Sequence, residues 1–157
     1  MTQVTTLADV GAALERCGFT VTTGADELSI PLSGDSGDSR AAHLKLLEVS
    51  PAASLLTFST SYPFASSADG LDAARLGAHE CTQWVPLGSF QVDDDGSLHF
   101  RYALVGGDAL PSDEVLTGLV GLIDYQQLQF GDYLAQLVAG EVTIEAFADL
   151  VAAGEDS

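Results

Sequence analysis

The stretch Phe90-Gln91-Val92-Asp93-Asp94-Asp95-Gly96-Ser97-Leu98-His99-Phe100-Arg101-Tyr102-Ala103-Leu104 decides the fold. Phe90 and Val92 alternate with polar neighbours, three acids and a glycine turn the chain, and Leu98, Phe100, Tyr102 and Leu104 alternate back. Period-two alternation sends successive side chains to opposite faces, so these residues predict a β-hairpin with one apolar face. Its outward face carries Gln91, His99, Arg101 and Ala103.

An apolar sheet face needs a cover, and both flanks of the hairpin read as helix. Upstream, Ser66 followed by Asp69 marks a helix start, and Leu71, Ala74, Ala78 and Cys81 recur as a stripe of mostly small side chains, which predicts a helix over 67–84. Small residues allow close backbone approach, either across a sheet or against a copy of the helix. Downstream, Pro111-Ser112-Asp113-Glu114 supplies a cap and two acids that complement a helix dipole. Leu116, Leu119, Val120, Ile123, Phe130, Leu134, Leu137 and Val138 then keep near-helical spacing as far as Ala139, a span of roughly 40 Å at about 1.5 Å per residue. Gly131 is the place where this helix would bend or split. Thr143 caps a last short helix with Ile144, Phe147, Leu150 and Val151 on one face.

At the other end, Thr6 and Asp9 stand in capping-box spacing before Leu7, Val10 and Leu14, giving a helix over 7–17 that stops at Gly18. Phe19 with Val21, and Leu28, Ile30 with Leu32, alternate as strands. Residues 33–40 have no apolar side chain and read as an exposed loop. Ala42 to Val49 and Ser54 to Thr60 follow as strands joined by a tight Ser-Pro-Ala-Ala connection. The expected class is therefore α+β: a helix, a three-stranded antiparallel sheet, a second helix, the hairpin completing the sheet, a long C-terminal helix and a short final one. A length of 157 residues suits a single domain over 1–157.

Charge narrows the partners. The chain has 23 Asp and Glu against 5 Lys and Arg, a formal net charge of -18. Arg16, Arg40, Lys45, Arg75 and Arg101 are scattered singly, whereas a nucleic-acid site needs clustered cations, and the same field repels anionic membranes. It favours solubility and attracts basic partners or basic peptide segments. Cys17 and Cys81 have no neighbouring Cys or paired His and suggest neither a disulfide framework nor a metal box. With no basic leader and no run of about 18 apolar residues, the expected location is the cytoplasm.

No string of residues reads as catalytic. Gly34-Asp35-Ser36-Gly37 resembles the surroundings of a protease nucleophile, yet it lies in a low-complexity loop without a rigid setting or an assignable histidine. Asp93 to Asp95 lack the alternating ligands of a calcium loop, and His79 and Cys81, two apart on a helix, point about 200° apart. No cofactor or metal is expected. Tyr62, Phe64 and Trp84 sit at element ends, where an aromatic either caps a core or anchors a partner, and His99 and Arg101 share a strand face. These five are the candidate contact residues.

The segment Leu87-Gly88-Ser89-Phe90-Gln91-Val92-Asp93, with Gly96 to Tyr102, resembles the YbjN family in its Gly-x-Phe strand, Gly turn and Phe-Arg strand. Leu110-Pro111-Ser112-Asp113-Glu114 resembles that family's entry into its long C-terminal helix, and the order of elements is similar to type III secretion chaperones. The Asn expected near the end of the second helix has no counterpart at Thr82 to Trp84. The resemblance implies a non-catalytic cytoplasmic regulator or chaperone-like adaptor, a homodimer that binds a protein or an extended peptide. The alternative is a small-ligand sensor or weak enzyme with a pocket near His99, Arg101 and Trp84.

Overall fold

The structure is a computed structural model that describes residues 5–32, 40–50, 53–106 and 109–154. Helix α1 (Leu7–Arg16) is followed by strands β1 (Thr22–Thr23), β2 (Leu28–Pro31), β3 (Ala41–Ser50) and β4 (Ala53–Ala65). Helix α2 (Leu71–Gln83), strands β5 (Ser89–Val92) and β6 (Ser97–Gly106), and helices α3 (Asp113–Val138) and α4 (Ile144–Gly154) complete the chain. The class is α+β, as the alternation and helical spacing imply.

The expectation of a three-stranded sheet extended by the hairpin requires correction. Among the described residues, six strands form one antiparallel sheet in the order β1-β2-β3-β4-β6-β5. The extra strand, β1, is only two residues long and pairs Thr22 with Ser29 and Thr23 with Leu28. The alternation of Phe19 with Val21 marks a strand just ahead of it, but the paired residues are Thr22 and Thr23, and a count of three strands before α2 leaves this one out. The hairpin joins through β6, which lies beside β4, and this leaves β5 at the edge. The segment Gly34 to Gly37 lies outside the described residues.

Helix ends follow the capping chemistry, with one displacement. Thr6 and Asp9 form a reciprocal capping box on α1. Ser112 Oγ accepts from the Val115 N–H at 3.3 Å, and Thr143 Oγ1 accepts from the Ala146 N–H at 3.3 Å. Upstream of α2, however, Ser67 and not Ser66 supplies the cap, accepting from Gly70 N–H at 3.2 Å over a 3-10 turn at Ala68–Gly70. Ser66 is buried, and its N–H donates to the Gly96 carbonyl at 2.9 Å. Gly131 neither splits nor ends α3.

The chain groups into two compact units, residues 1–60 with 102–123 and residues 61–101 with 124–157. In the first, α1 and the opening of α3 contribute Val10, Leu14, Leu116 and Leu119 to a core shared with Leu28, Ile30, Leu44 and Phe58. Phe58 and Tyr102 stack with ring centroids 4.8 Å apart, and the Tyr102 hydroxyl donates to the Leu119 carbonyl. In the second, the small-residue stripe Ala74, Gly77, Ala78 and Cys81 is the buried face of α2, which packs on β5 and α4. Gly77 lies so close to Leu137 that a methyl group would press on it, while Phe147 would be in ordinary contact. Phe90 packs edge-on to Phe130 at 5.6 Å and tilts against Phe100 at 4.9 Å.

Two sequence changes probe this arrangement. Gly96 has φ +86°, and a Cβ there would strike the Ser66 carbonyl, so Gly96→Ala is expected to destabilise by more than about 2 kcal/mol in urea unfolding. The Thr6 hydroxyl, and then its backbone N–H, hold the Asp9 carboxyl below its ordinary value of 3.8. A lowered carboxylate stabilises the fold fully above that value and loses its contribution as pH falls from there through the lower folded-state value, because the unfolded chain takes up the proton first. Thr6→Ala should flatten the acid side of a stability-versus-pH curve.

Candidate functional site

The β5–β6 register, with Phe90 opposite Phe100 and Gln91 opposite His99, turns the aromatic rings inward and the polar set outward. On the outward face His99 joins two side chains. Its Nδ1 lies 2.9 Å from Ser61 Oγ on β4, and its Nε2 lies 3.1 Å from Asp93 Oδ2 in the hairpin turn. Arg101, two residues along, donates to Gln91 Oε1. Ser61 and Asp93 are the partners that sequence spacing did not assign to His99, because one comes from another strand and the other from the turn.

The three turn carboxylates diverge, as consecutive residues do. Asp93 meets His99, Asp94 meets Arg75 Nη2 at 2.7 Å, and Asp95 Oδ1 accepts from the Ser97 N–H at 2.9 Å. Hydrogen bonds from Ser97, helped by nearby His99, hold the Asp95 carboxyl below its ordinary value. Among the described residues no three His, Cys, Asp or Glu side chains come together as metal ligands.

The remaining candidates scatter. Tyr62 is buried, its ring 5.4 Å from Phe64 and 6.2 Å from Phe90, so it is spent on the core. Phe64 is half-buried beside it. Trp84 caps the end of α2 with 37% of its surface exposed. Among the described residues no helix is long and apolar enough to cross a membrane.

Two features of the first unit had no part in the sequence reading. The first is an aliphatic patch on the outward sheet face: Leu47 is 49% exposed, Val49 67% and Val105 82%. Leu47 stands opposite half-buried Leu55 across β3 and β4. The signal was available in Leu46-Leu47, where adjacent apolar residues put one on each face of the strand. The second is a cavity of about 280 Å³ lined by Val10, Leu46, Leu56, Leu104, Val105 and Leu110, with Ala109, Pro111 and the hydroxyl residues Thr5 and Ser54. None of Tyr62, Phe64, Trp84, His99 or Arg101 borders it.

At the edge of the sheet, the Phe90 N–H donates to Thr82 Oγ1 at 2.9 Å, while the same hydroxyl donates to the Ala78 carbonyl at 2.8 Å. Because β6 is the sole strand neighbour of β5, this N–H is one that points away from the sheet.

Cys81 and His79 separate as their helical spacing requires, with Cys81 buried and His79 exposed. Burial, and then the adjacent Glu80 charge, push the Cys81 thiol upward, whereas Cys17 is half-buried. A thiol reagent should therefore modify one cysteine in the folded protein, Cys17→Ser should abolish that phase, and Cys81 should react only on unfolding.

No family model matches the chain, and no curated protein matches its sequence.

Proposed function

We propose that this chain is a non-catalytic protein-binding regulator or chaperone-like adaptor of the YbjN type, acting as a homodimer in the cytoplasm. The observation that carries this reading is the aliphatic patch of Leu47, Val49, Leu55 and Val105 on an otherwise acidic chain. Exposed apolar side chains favour association, and a charge of -18 keeps copies apart except where the contact is uncharged. The patch supplies such a contact, for a partner or for a second copy.

The experiment is site-specific photocrosslinking from Val49 in the source cell, with light scattering on the purified protein. A discrete crosslinked protein and a dimeric mass are expected, both lost in Leu47→Lys/Val49→Lys. A monomer at all concentrations that crosslinks to nothing overturns the reading.

A second reading, a small-ligand sensor or weak enzyme at His99 and Arg101, draws on the line Ser61–His99–Asp93. A carboxylate that orients an imidazole and an imidazole that accepts a serine proton are the parts of an acyl-transfer site. Fluorophosphonate labelling of Ser61 that disappears in His99→Gln would favour it; no labelling leaves the adaptor reading in place.

A further inference from the structure

We propose that the cavity of the first unit receives one large apolar side chain from an extended basic peptide. This deepens the protein-binding reading and rests on it; the cavity shares Val105 with the aliphatic patch and otherwise draws on different residues.

Size and lining set the first limit. At about 280 Å³ the cavity lies just below the range of drug-sized ligand sites, about 300–1,000 Å³, and suits a single side chain better than a cofactor. Its wall is aliphatic, and its polar side chains are the hydroxyls of Thr5 and Ser54. Among the described residues no charged side chain lines it.

The surroundings set the second limit. Asp9 immediately precedes Val10; Glu48 stands two residues beyond Leu46 on β3, which brings it back to the same face; Asp113 and Glu114 follow Pro111 at the start of α3. Glu48, Asp113 and Glu114 are exposed. Of the cations near it in the chain, Arg16 is committed to Asp113 at 3.4 Å and Lys45 to Glu27 at 3.5 Å. With Asp113 held by Arg16 and Asp9 by Thr6, the exposed Glu48 and Glu114 carboxylates near the aliphatic hole in sequence are complementary to an apolar residue flanked by Lys or Arg. The same carboxylates repel a fatty acid, whose head group is anionic.

Fluorescence anisotropy on the full chain tests this with three labelled pentapeptides: Lys-Lys-Phe-Lys-Lys, its Ala-centred analogue, and Glu-Glu-Phe-Glu-Glu. The Phe-centred basic peptide should bind at least tenfold more tightly than the Ala analogue and weaken with salt, and the acidic peptide should not bind. Ala109 lines the cavity and is exposed, so Ala109→Trp should fill it without unfolding the chain and bring the Phe peptide down to the Ala level. Glu48→Lys/Glu114→Lys, both at exposed positions, should weaken both basic peptides together. Equal binding of the Phe and Ala peptides, no binding at millimolar concentration, indifference to Ala109→Trp with an unchanged melting temperature, or displacement of the peptide by decanoate overturns the proposal. Crosslinking from Val49 that survives Ala109→Trp would retain the adaptor reading while this assignment falls.

Discussion

In the second unit, the fold turns on the space denied to a side chain at Gly96. The residue holds φ +86°, its N–H donates to the Asp93 carbonyl at 3.0 Å, and its own carbonyl accepts from buried Ser66 at 2.9 Å. A turn held this way fixes which residues of β5 and β6 face each other, because slipping by one position would exchange the two faces. Phe90 and Phe100 thereby go to the core, and His99 reaches both Asp93 and Ser61. The polar line on the sheet is thus a geometric by-product of the same register that builds the aromatic cluster. It also explains why that line is shallow: strand side chains stand out from a flat face, and Asp93 keeps 63% of its side-chain surface in solvent, where an ion pair contributes little.

Local chemistry was legible and lateral placement was not. The hairpin, the Thr6–Asp9 box, the buried stripe on α2 and the caps at Ser112 and Thr143 all follow from spacings of two to four residues, which sequence displays directly. The two-residue β1 lies one step past the Phe19–Val21 alternation, and before α2 the Ser66 hydroxyl donates to the Ser67 carbonyl while Ser67 supplies the cap. Partners distant in sequence were invisible for another reason. Nothing in the neighbourhood of His99 specifies that Ser61, 38 positions away, lies beside it. The cavity likewise draws on five separate stretches of chain, and only its apolar members carried any signal, as ordinary core residues.

Acidity takes on a more specific meaning in this setting. Several of the few cations are already engaged: Arg16 with Asp113, Arg75 with Asp94, and Lys45 with Glu27 at 3.5 Å. All three contacts are substantially exposed and add little stability. Their effect is to tie up positive charge locally and leave most carboxylates unneutralised, so the long-range field is nearly that of the acids alone. Such a field speeds encounter with cationic partners but has a reach of only about 8 Å at physiological salt. Short-range discrimination must come from shape and apolar contact.

The bond from Phe90 to Thr82 bears on what an added strand would meet at the β5 edge. An edge strand is a template, since its outward N–H and carbonyl groups await another strand. Here one such donor is occupied from within by a helix hydroxyl that is itself held to Ala78, so an incoming strand finds that position filled. Electrostatic repulsion between copies fades in concentrated salt, whereas this obstruction does not. The two safeguards fail under different conditions, and a brine that silences the first leaves the second standing.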